Sequence, residues 1–577
     1  MEIGHLKYMK IISRKVRESV SRVNVWLVVV LFIATVLRVW NLGVNPPHLT
    51  PDEASLGYNA YSILKTGKDE HGKVLPIIFK SFGDYKPGLY VYATVPFVAT
   101  LGLTELAVRL PSAAAGIVAV WLLYEIVGLI STKKNLNVLS GLILATSPWH
   151  IHFSRGAWEV NLSLTLTLLG IYFFLKSFKN NKLLPWSVAA FTLTMSAYQG
   201  AKLSTLVVVL LLLFVYWKEI IEIDRKIVKK SILFGFMLGI PVLLSFFSGK
   251  VGRLGVFSVF SYPRPDDYLQ SFLTETGVVK GSLGYYTFYS ESLNFLRGVL
   301  GRFFNHFSGR FLFFEGDWQN ARHSAPNHGV LQLADAIFLV VGIYSMVIVN
   351  AKKEIKFIWW WLALSVLPSI LSRDGIHAVR SFNMVIPLSI ISAYGASTLL
   401  IYIGRAKGLL KISSISVLTM VYVFSTAYFL DSYFVHLPRH DSQLWEYGYK
   451  QVVETILPIQ GNFETIKVRQ SFAQPYIYFL FYGASKDPMY SPANYQKQAN
   501  LVSSGLAGDV GYVEKIGNIE FVPIDWSVNR GESNTLFVAD PVRIPPEDSN
   551  DANLFNVIKE IKYLNNLDIA FRIVEVK

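Results

Sequence analysis

The sequence predicts a polytopic α-helical membrane protein with about eleven transmembrane helices, outer interfacial helices and a small C-terminal extracytoplasmic α/β domain. Three observations predict it. The chain of 577 residues is 52% hydrophobic and only 16% charged, against about 25% charged in ordinary soluble domains. Its apolar residues gather in runs approaching the ~20 that cross a hydrocarbon core. The charges between those runs alternate, every second loop being basic.

The runs lie at 25–43, 110–131, 137–153, 162–178, 184–198, 203–217, 231–248, 330–350, 357–371, 382–402 and 412–430. Arg14, Lys15, Arg17 and Arg22 precede the first, and it reads as an uncleaved span, with no small-residue cleavage site after it and Arg38 near its far end. Lys133 and Lys134 follow the second run, Lys176, Lys179 and Lys182 the fourth, and Lys218, Arg225, Lys226, Lys229 and Lys230 the sixth. Lys352, Lys353 and Lys356 follow the eighth, and Arg405, Lys407 and Lys411 the tenth. Basic loops mark the cytoplasmic side, so one topology satisfies them all: residues 1–24 inside as a basic N-terminus, 25–430 in the membrane, and 431–577 outside as a soluble domain. The expected location is the cytoplasmic membrane. The net charge of +14 then belongs to contact with anionic lipid and not to nucleic acid. The absence of cysteine excludes disulfides, thiolate catalysis and Cys-based zinc sites.

Two outer loops stand out, 44–109 and 249–329. Within the first, Gly88–Gly102 is apolar but too short to cross comfortably, and is expected to lie in the interface. In the tail, Trp445–Leu457 and Gln474–Tyr482 read as helices and Thr465–Val468 as a strand. Val557–Leu567 reads as a further helix and Asp568–Val576 as a closing strand.

Ionisable residues avoid the span centres. Arg38, Arg109, His150, His152, Glu159, Lys202, Asp335 and Arg380 all fall toward outer ends, the pattern of an interfacial reaction chamber and, for the long cations, also of snorkelling. A mid-membrane pathway of the transporter kind would need the opposite. The sharpest local motif is Thr50-Pro51-Asp52-Glu53. Thr50 and Glu53 form a capping box around Pro51, which gives Glu53 a structural role. Asp52 is not needed by the box and stands in the first helical turn just outside the bilayer. In Asp84-Tyr85-Lys86-Pro87-Gly88, Lys86 stands at headgroup level, either snorkelling or holding a phosphate. Glu159 reads as a helix N-terminal charge or a second acidic site residue. The run from His306 through Asp317 to Arg322, His323 and His328 reads as an interfacial loop, or as the lining of a sugar or prenyl groove. Its histidines match no standard metal spacing. In Asp374-Gly-Ile-His377-Ala-Val-Arg380, Arg380 either anchors a helix end or grips a phosphate.

Taken in order on this topology, the acidic pair after span one, Asp84-Tyr85-Lys86-Pro-Gly, Arg109-Leu-Pro-Ser-Ala, the Phe-Leu-Phe-Phe-Glu-Gly-Asp317 run with Arg322-His323, and His377 to Arg380 resemble GT-C glycosyltransferases. The branch resembled is the bacterial relatives of protein O-mannosyltransferases and of the lipid A aminoarabinose transferase, over roughly residues 25–400. The resemblance implies a polyprenyl-phosphate-linked sugar donor, a hexosyl or pentosyl transfer with inversion, and a glycan, lipid or protein acceptor outside the membrane. It implies Asp52 as catalytic base, Glu53 or Glu159 as a possible second acid, and Lys86, Arg380 and Arg322 toward the donor phosphate. Asp84, Tyr85, Arg109, Asp317, His323 and His377 would line the site. No cofactor is implied firmly, a divalent metal being compatible and no metal ligand assigned. A lipid-linked glycan ligase or polymerase shares these features, and a transporter or flippase of lipid-linked sugar is the alternative of a different class.

Overall fold

A computed structural model describes residues 24–577 except 83, 134, 248–257, 262, 349–351, 471–473 and 503–511. The basic N-terminal segment, Gly83 and Lys134 fall outside the described residues, as does the side chain of Asp84.

Among the described residues each of the eleven apolar runs contains a helix, and the helices differ widely in length. The helices are α1 (Val25–Val39), α2 (Pro51–Thr66), α3 (Leu89–Leu101), α4 (Glu105–Ile130), α5 (Leu136–Thr146), α6 (Pro148–Arg155), α7 (Glu159–Ser177), α8 (Leu184–Ala197), α9 (Ala201–Val215) and α10 (Arg225–Phe247). There follow α11 (Asp266–Thr276), α12 (Glu291–His306), α13 (Asp335–Ile348), α14 (Lys353–Leu364), α15 (Val385–Arg405), α16 (Gly408–Asp431), α17 (Tyr449–Ile456) and α18 (Tyr476–Gly483), with shorter turns between. Among the described residues, 5 are long and apolar enough to cross a membrane: Glu105–Ile130, Glu159–Ser177, Arg225–Leu244, Phe382–Arg405 and Gly408–His440. The chain is a multi-pass membrane protein, and the expected count of eleven is not reproduced at that length.

The run at 137–153 shows why. It breaks at Pro148, which has no N–H to continue α5. Ser147 caps the new helix α6 through the His150 N–H. Carbonyls left at the end of α5 are taken by the buried Arg38 of α1, which donates to Ala145 O at 2.9 Å and Leu144 O at 3.2 Å. A buried guanidinium near a span end thus completes a helix terminus. Elsewhere the bundle closes on small residues. A side chain at Gly395 would strike the Phe338 carbonyl, and one at Gly342 the Ile391 carbonyl, so α13 and α15 meet backbone to backbone.

Between α2 and α3 lies a hairpin, β1 (Ile78–Ser81) with β2 (Asp84–Pro87), pairing Phe79 with Lys86 and Lys80 with Tyr85. The apolar stretch at 88–102 is the 13-residue helix α3. The tail folds around a 7-stranded sheet of order β4-β5-β6-β3-β7-β9-β8: β3 (Thr465–Arg469), β4 (Ala499–Val502), β5 (Tyr512–Ile516), β6 (Ile519–Val522), β7 (Thr535–Ala539), β8 (Phe555–Lys562) and β9 (Ile569–Val576). β3 runs parallel to β6 and β7, and the other pairs are antiparallel. Residues 557–567, expected as a helix, form most of strand β8 and the turn into β9. Their apolar spacing imitates a helix because the pairing with β9 shifts register at Val557/Lys559 and again at Ile561/Lys562, which breaks the two-residue alternation. The helix expected from Trp445 begins only at Tyr449, after Gly448 takes a φ of 114°.

Candidate active site

Helix α2 starts as its sequence dictates. Thr50 Oγ1 accepts the Glu53 N–H at 3.2 Å and Glu53 Oε2 accepts the Thr50 N–H at 2.9 Å, with Pro51 in the first position. One helical face then carries Asp52, Ser55, Leu56 and Asn59, a spacing of i, i+3, i+4, i+7. These four residues form one wall of a narrow cleft. The hairpin contributes Phe79, Ser81, Lys86 and Pro87, α3 contributes Val91, and the start of α7 contributes Glu159. Strand alternation puts the cross-strand partners Phe79 and Lys86 on the same side.

Lys86 and Asp52 form an ion pair across this cleft. The lysine side chain is only 10% exposed and the aspartate 59%, so the cation is fixed by the fold and the carboxylate faces open space. The Lys86 ammonium also sits 5.6 Å over the Phe82 ring. Behind the wall, Asn59 donates to Ser55 O at 3.0 Å and to Glu70 Oε1 at 3.3 Å, and accepts the Glu70 N–H at 3.1 Å. Glu70 is wholly buried, and that burial pushes its carboxyl up to about 8. Ser55 and Ser81 hydroxyls meet at 3.2 Å. The cleft therefore offers a carboxylate, an ammonium, a second acid and a band of hydroxyl and amide groups.

A second narrow cleft opens on the other side of the hairpin, between Ile77, Ile78, Tyr85 and Pro87 and the residues Met195, Ser196, Gln199, Lys202 and Val242. Pro87 borders both clefts. The second is mainly apolar, with the Lys202 ammonium donating to Gln199 Oε1 at 2.9 Å.

Of the expected site residues, Asp52, Lys86 and Glu159 share the first cleft and Tyr85 lines the second. Glu53 and Arg109 line neither of these two clefts. Arg109 is fully buried, donates to Glu53 Oε1 at 3.1 Å and Oε2 at 3.4 Å, and ties down the carbonyls of Leu42, Pro46 and His48. Glu53 Oε1 also accepts the Ala157 N–H at 2.8 Å. The pair fixes the loop before α2 against α4 and the turn before α7. Arg380 pairs with Asp374, at 2.5 Å, and lines neither of the two clefts. Arg322 joins no ion pair among the described residues, and its Nε is buried without a hydrogen-bond partner. Asp84 pairs with Ser81 in the hairpin. Asp317, His323 and His377 meet one another, not Asp52.

Ser55, Asn59, Ser81, Glu70 and Lys202 were not assigned to a site from sequence. The first two could have been found, because they lie on the helical face defined by Asp52. Ser81 and Glu70 reach the site only through the hairpin and the loop before it.

Residues 86–247 match the family model described as dolichyl-phosphate-mannose-protein mannosyltransferase. The fold is similar to the crystal structure of ArnT from Cupriavidus metallidurans in the apo state, with a TM-score of 0.52 at 13% identity over 94% of this chain and 97% of that one. It is equally similar to ArnT from the same organism bound to undecaprenyl phosphate, with a TM-score of 0.52 at 12% identity over 96% and 98% of the two chains. Archaeal oligosaccharyltransferase AglB from Archaeoglobus fulgidus, in complex with an inhibitory peptide and a dolichol-phosphate, aligns at a TM-score of 0.47 and 11% identity, over 78% of this chain and 62% of that one. No curated protein matches the sequence.

Proposed function

We propose, from the premise that this chain is a GT-C superfamily membrane protein resembling ArnT and the protein mannosyltransferases, that it transfers a sugar from a polyprenyl-phosphate donor to an acceptor hydroxyl on the extracytoplasmic side. The observation that carries the reading is the Asp52–Lys86 pair in a cleft that Glu159 also lines. The undecaprenyl phosphate in the ArnT complex supports a lipid-phosphate donor. The apolar side chains bordering the second cleft, Ile77, Ile78, Pro87, Met195 and Val242, with Lys202 beside them, are the surface against which this reading lays the prenyl chain.

In the resting protein Lys86 and Asp52 neutralise each other. Donor binding divides them. The phosphate takes the ammonium, and the carboxylate is left for the proton of the incoming hydroxyl. The acceptor oxygen attacks the anomeric carbon from the face opposite the phosphate, the carbon–oxygen bond to phosphate breaks, and the configuration inverts. Asp52 receives the hydroxyl proton, a general-base contribution of about 10²–10⁴-fold. Lys86 meets the charge that grows on the leaving phosphate. Ser55, Asn59 and Ser81 supply hydrogen-bond partners for the sugar hydroxyls. Arg322, with its unpartnered Nε, is the second cation candidate for the donor, ahead of Arg380, which Asp374 already holds.

The test is incubation of the purified protein with radiolabelled polyprenyl-phosphate sugars and identification of the labelled product. Asp52→Asn should lose turnover by about 10²–10⁴-fold while keeping its melting temperature, since its side chain is 59% exposed. Turnover at the wild-type level in that variant removes Asp52 from the mechanism. Reporter fusions after residue 577 check the side of the membrane, and a cytosolic reading overturns the extracytoplasmic assignment.

A further inference from the structure

Three side chains that the transfer mechanism does not use converge on one point. Asp317, His323 and His377 each present a ligand atom, and these atoms all lie within 4.8 Å of one another. Asp317 and His323 are buried, and His377 is half-buried. Asp317 Oδ2 lies 2.9 Å from His323 Nδ1 and accepts the Ala378 N–H at 2.8 Å. Its Oδ1 accepts from the Asn320 N–H at 3.0 Å and from Asn320 Nδ2 at 3.4 Å. The two imidazoles face each other with ring centroids 5.0 Å apart. His377 Nδ1 accepts only a long 3.4 Å contact from the Arg380 N–H, so its Nε2 is not needed there. Trp158 and Phe153 wall the His323 side at 5.5 and 6.2 Å between ring centroids.

The chemistry of this set is that of a metal site. One carboxylate and two imidazoles are the donor set of borderline divalent ions. Tetrahedral zinc spaces such ligand atoms about 3.3–3.4 Å apart, so a modest rotation of the His377 ring, the least buried of the three, would close the triad. The backbone N–H of Ala378 and the amide of Asn320 already orient the carboxylate, as outer partners do in metal sites. Nearby positive charge is partly offset, for Arg380 is paired with Asp374.

We infer that Asp317, His323 and His377 bind a first-row divalent transition ion, with Zn²⁺ as the reference, clamping the 317–323 loop to the 377–380 loop. The clamp sits next to Arg322 and three residues from Arg380, so occupancy fixes the backbone that carries both guanidiniums. Hard ions such as Mg²⁺ and Ca²⁺, which want oxygen ligands, are excluded by the two imidazoles. The inference stands independently of the sugar-transfer reading.

The experiment uses the full chain without a histidine tag, purified in detergent and stripped with EDTA. Zn²⁺ is titrated in competition with a chromophoric chelator, and Co²⁺ binding is followed by its visible absorption. The expected result is one Zn²⁺ per chain, insensitive to millimolar Mg²⁺. Asp317→Asn, His323→Gln and His377→Gln should each weaken binding by at least about tenfold, while Asp52→Asn and Glu159→Gln leave it unchanged. His377 is the least buried of the three, so its variant keeps the test open if the other two positions fail to fold. Substoichiometric Zn²⁺, or equal binding by wild type and His377→Gln, overturns the site and leaves Asp317–His323 as a hydrogen-bonded pin between two loops. Loss of binding in Asp52→Asn overturns it too, by moving the ion to the other cleft.

Discussion

At Asp52 and Glu53 the first turn of α2 sends two adjacent carboxylates in different directions, because consecutive helical residues diverge by about 100°. Asp52 reaches the cleft and Lys86. Glu53 turns inward, where it accepts from Thr50, Arg109 and Ala157 and is 4% exposed. The capping half of that role is local and legible, since Thr-x-x-Glu around a proline announces a helix start. The other half is not, because Arg109 and Ala157 come from segments far along the chain and nothing in their spacing names Glu53 as the shared partner. Sequence spacing alone therefore does not show that Arg109 ties Glu53 to the carbonyls of Leu42, Pro46 and His48. Glu53→Ala should destabilise the protein by about 3–5 kcal/mol, because it leaves a fully buried guanidinium uncompensated. Denaturant unfolding in detergent micelles, compared with Asp52→Asn, checks this. Similar unfolding of the two variants would mean that the buried pair contributes little.

The hairpin shows the same division at the level of elements. Each strand has only 4 residues, too short for a periodic signal, and from sequence the segment reads as a turn into an apolar helix. Its value to the site comes from alternation: Phe79 and Lys86 line one cleft while Ile78 and Tyr85 line the other. The long apolar runs, by contrast, were legible as helices, because side-chain hydrophobicity dominates every other signal there. Gly88, where the hairpin passes into α3, holds the partition in place. A Cβ at this position would fall against the Phe79 ring and the Ile77 carbonyl. Gly88→Val should therefore push Phe79 toward the cleft and β1 away from α3, with a destabilisation of about 1–3 kcal/mol, as for an overpacked core. Because the displaced ring lines the cleft, activity should fall more than that stability loss explains. Labelled-sugar transfer measured well below the melting temperature makes the comparison. Unchanged turnover would show that the hairpin tolerates the shift.

At the scale of the whole molecule, the sheet-bearing tail is part of the frame that carries the cleft. Residues 431–577 read from sequence as an appended domain of undetermined role, because the packing that links them to α2 is long-range. One buried cluster runs continuously from Leu49, Ala54 and Tyr58 of the α2 region through Ile477, Phe479 and Phe481 of α18 to Ile466 and Val468 of β3. Polar contacts follow the same seam. Tyr478 donates its hydroxyl to Leu49 O at 3.0 Å, Tyr58 donates to Tyr490 O at 2.9 Å, and Lys450 pairs with Glu105 at 2.8 Å. His48, wedged among Tyr447, Tyr478 and Tyr482, is lowered by burial to about 4 and stays neutral at physiological pH. The closest approach is at Gly57, where a Cβ would lie 2.5 Å from both a Phe481 ring carbon and a Val108 methyl. The helix that presents Asp52 is thus held between α4 on one side and the tail on the other. Gly57→Leu should displace α18, lower the melting temperature, and reduce transfer although residue 57 touches neither Asp52 nor Lys86. Trimming the neighbour tests the cause. Phe481→Ala, itself a cavity costing about 3–5 kcal/mol, should be less harmful in the Gly57→Leu background than alone, a coupling of about 0.5–3 kcal/mol in a double-mutant cycle. Strict additivity would show that the two residues do not share the space, and that the tail's seat on α2 is not what orients the candidate catalytic carboxylate.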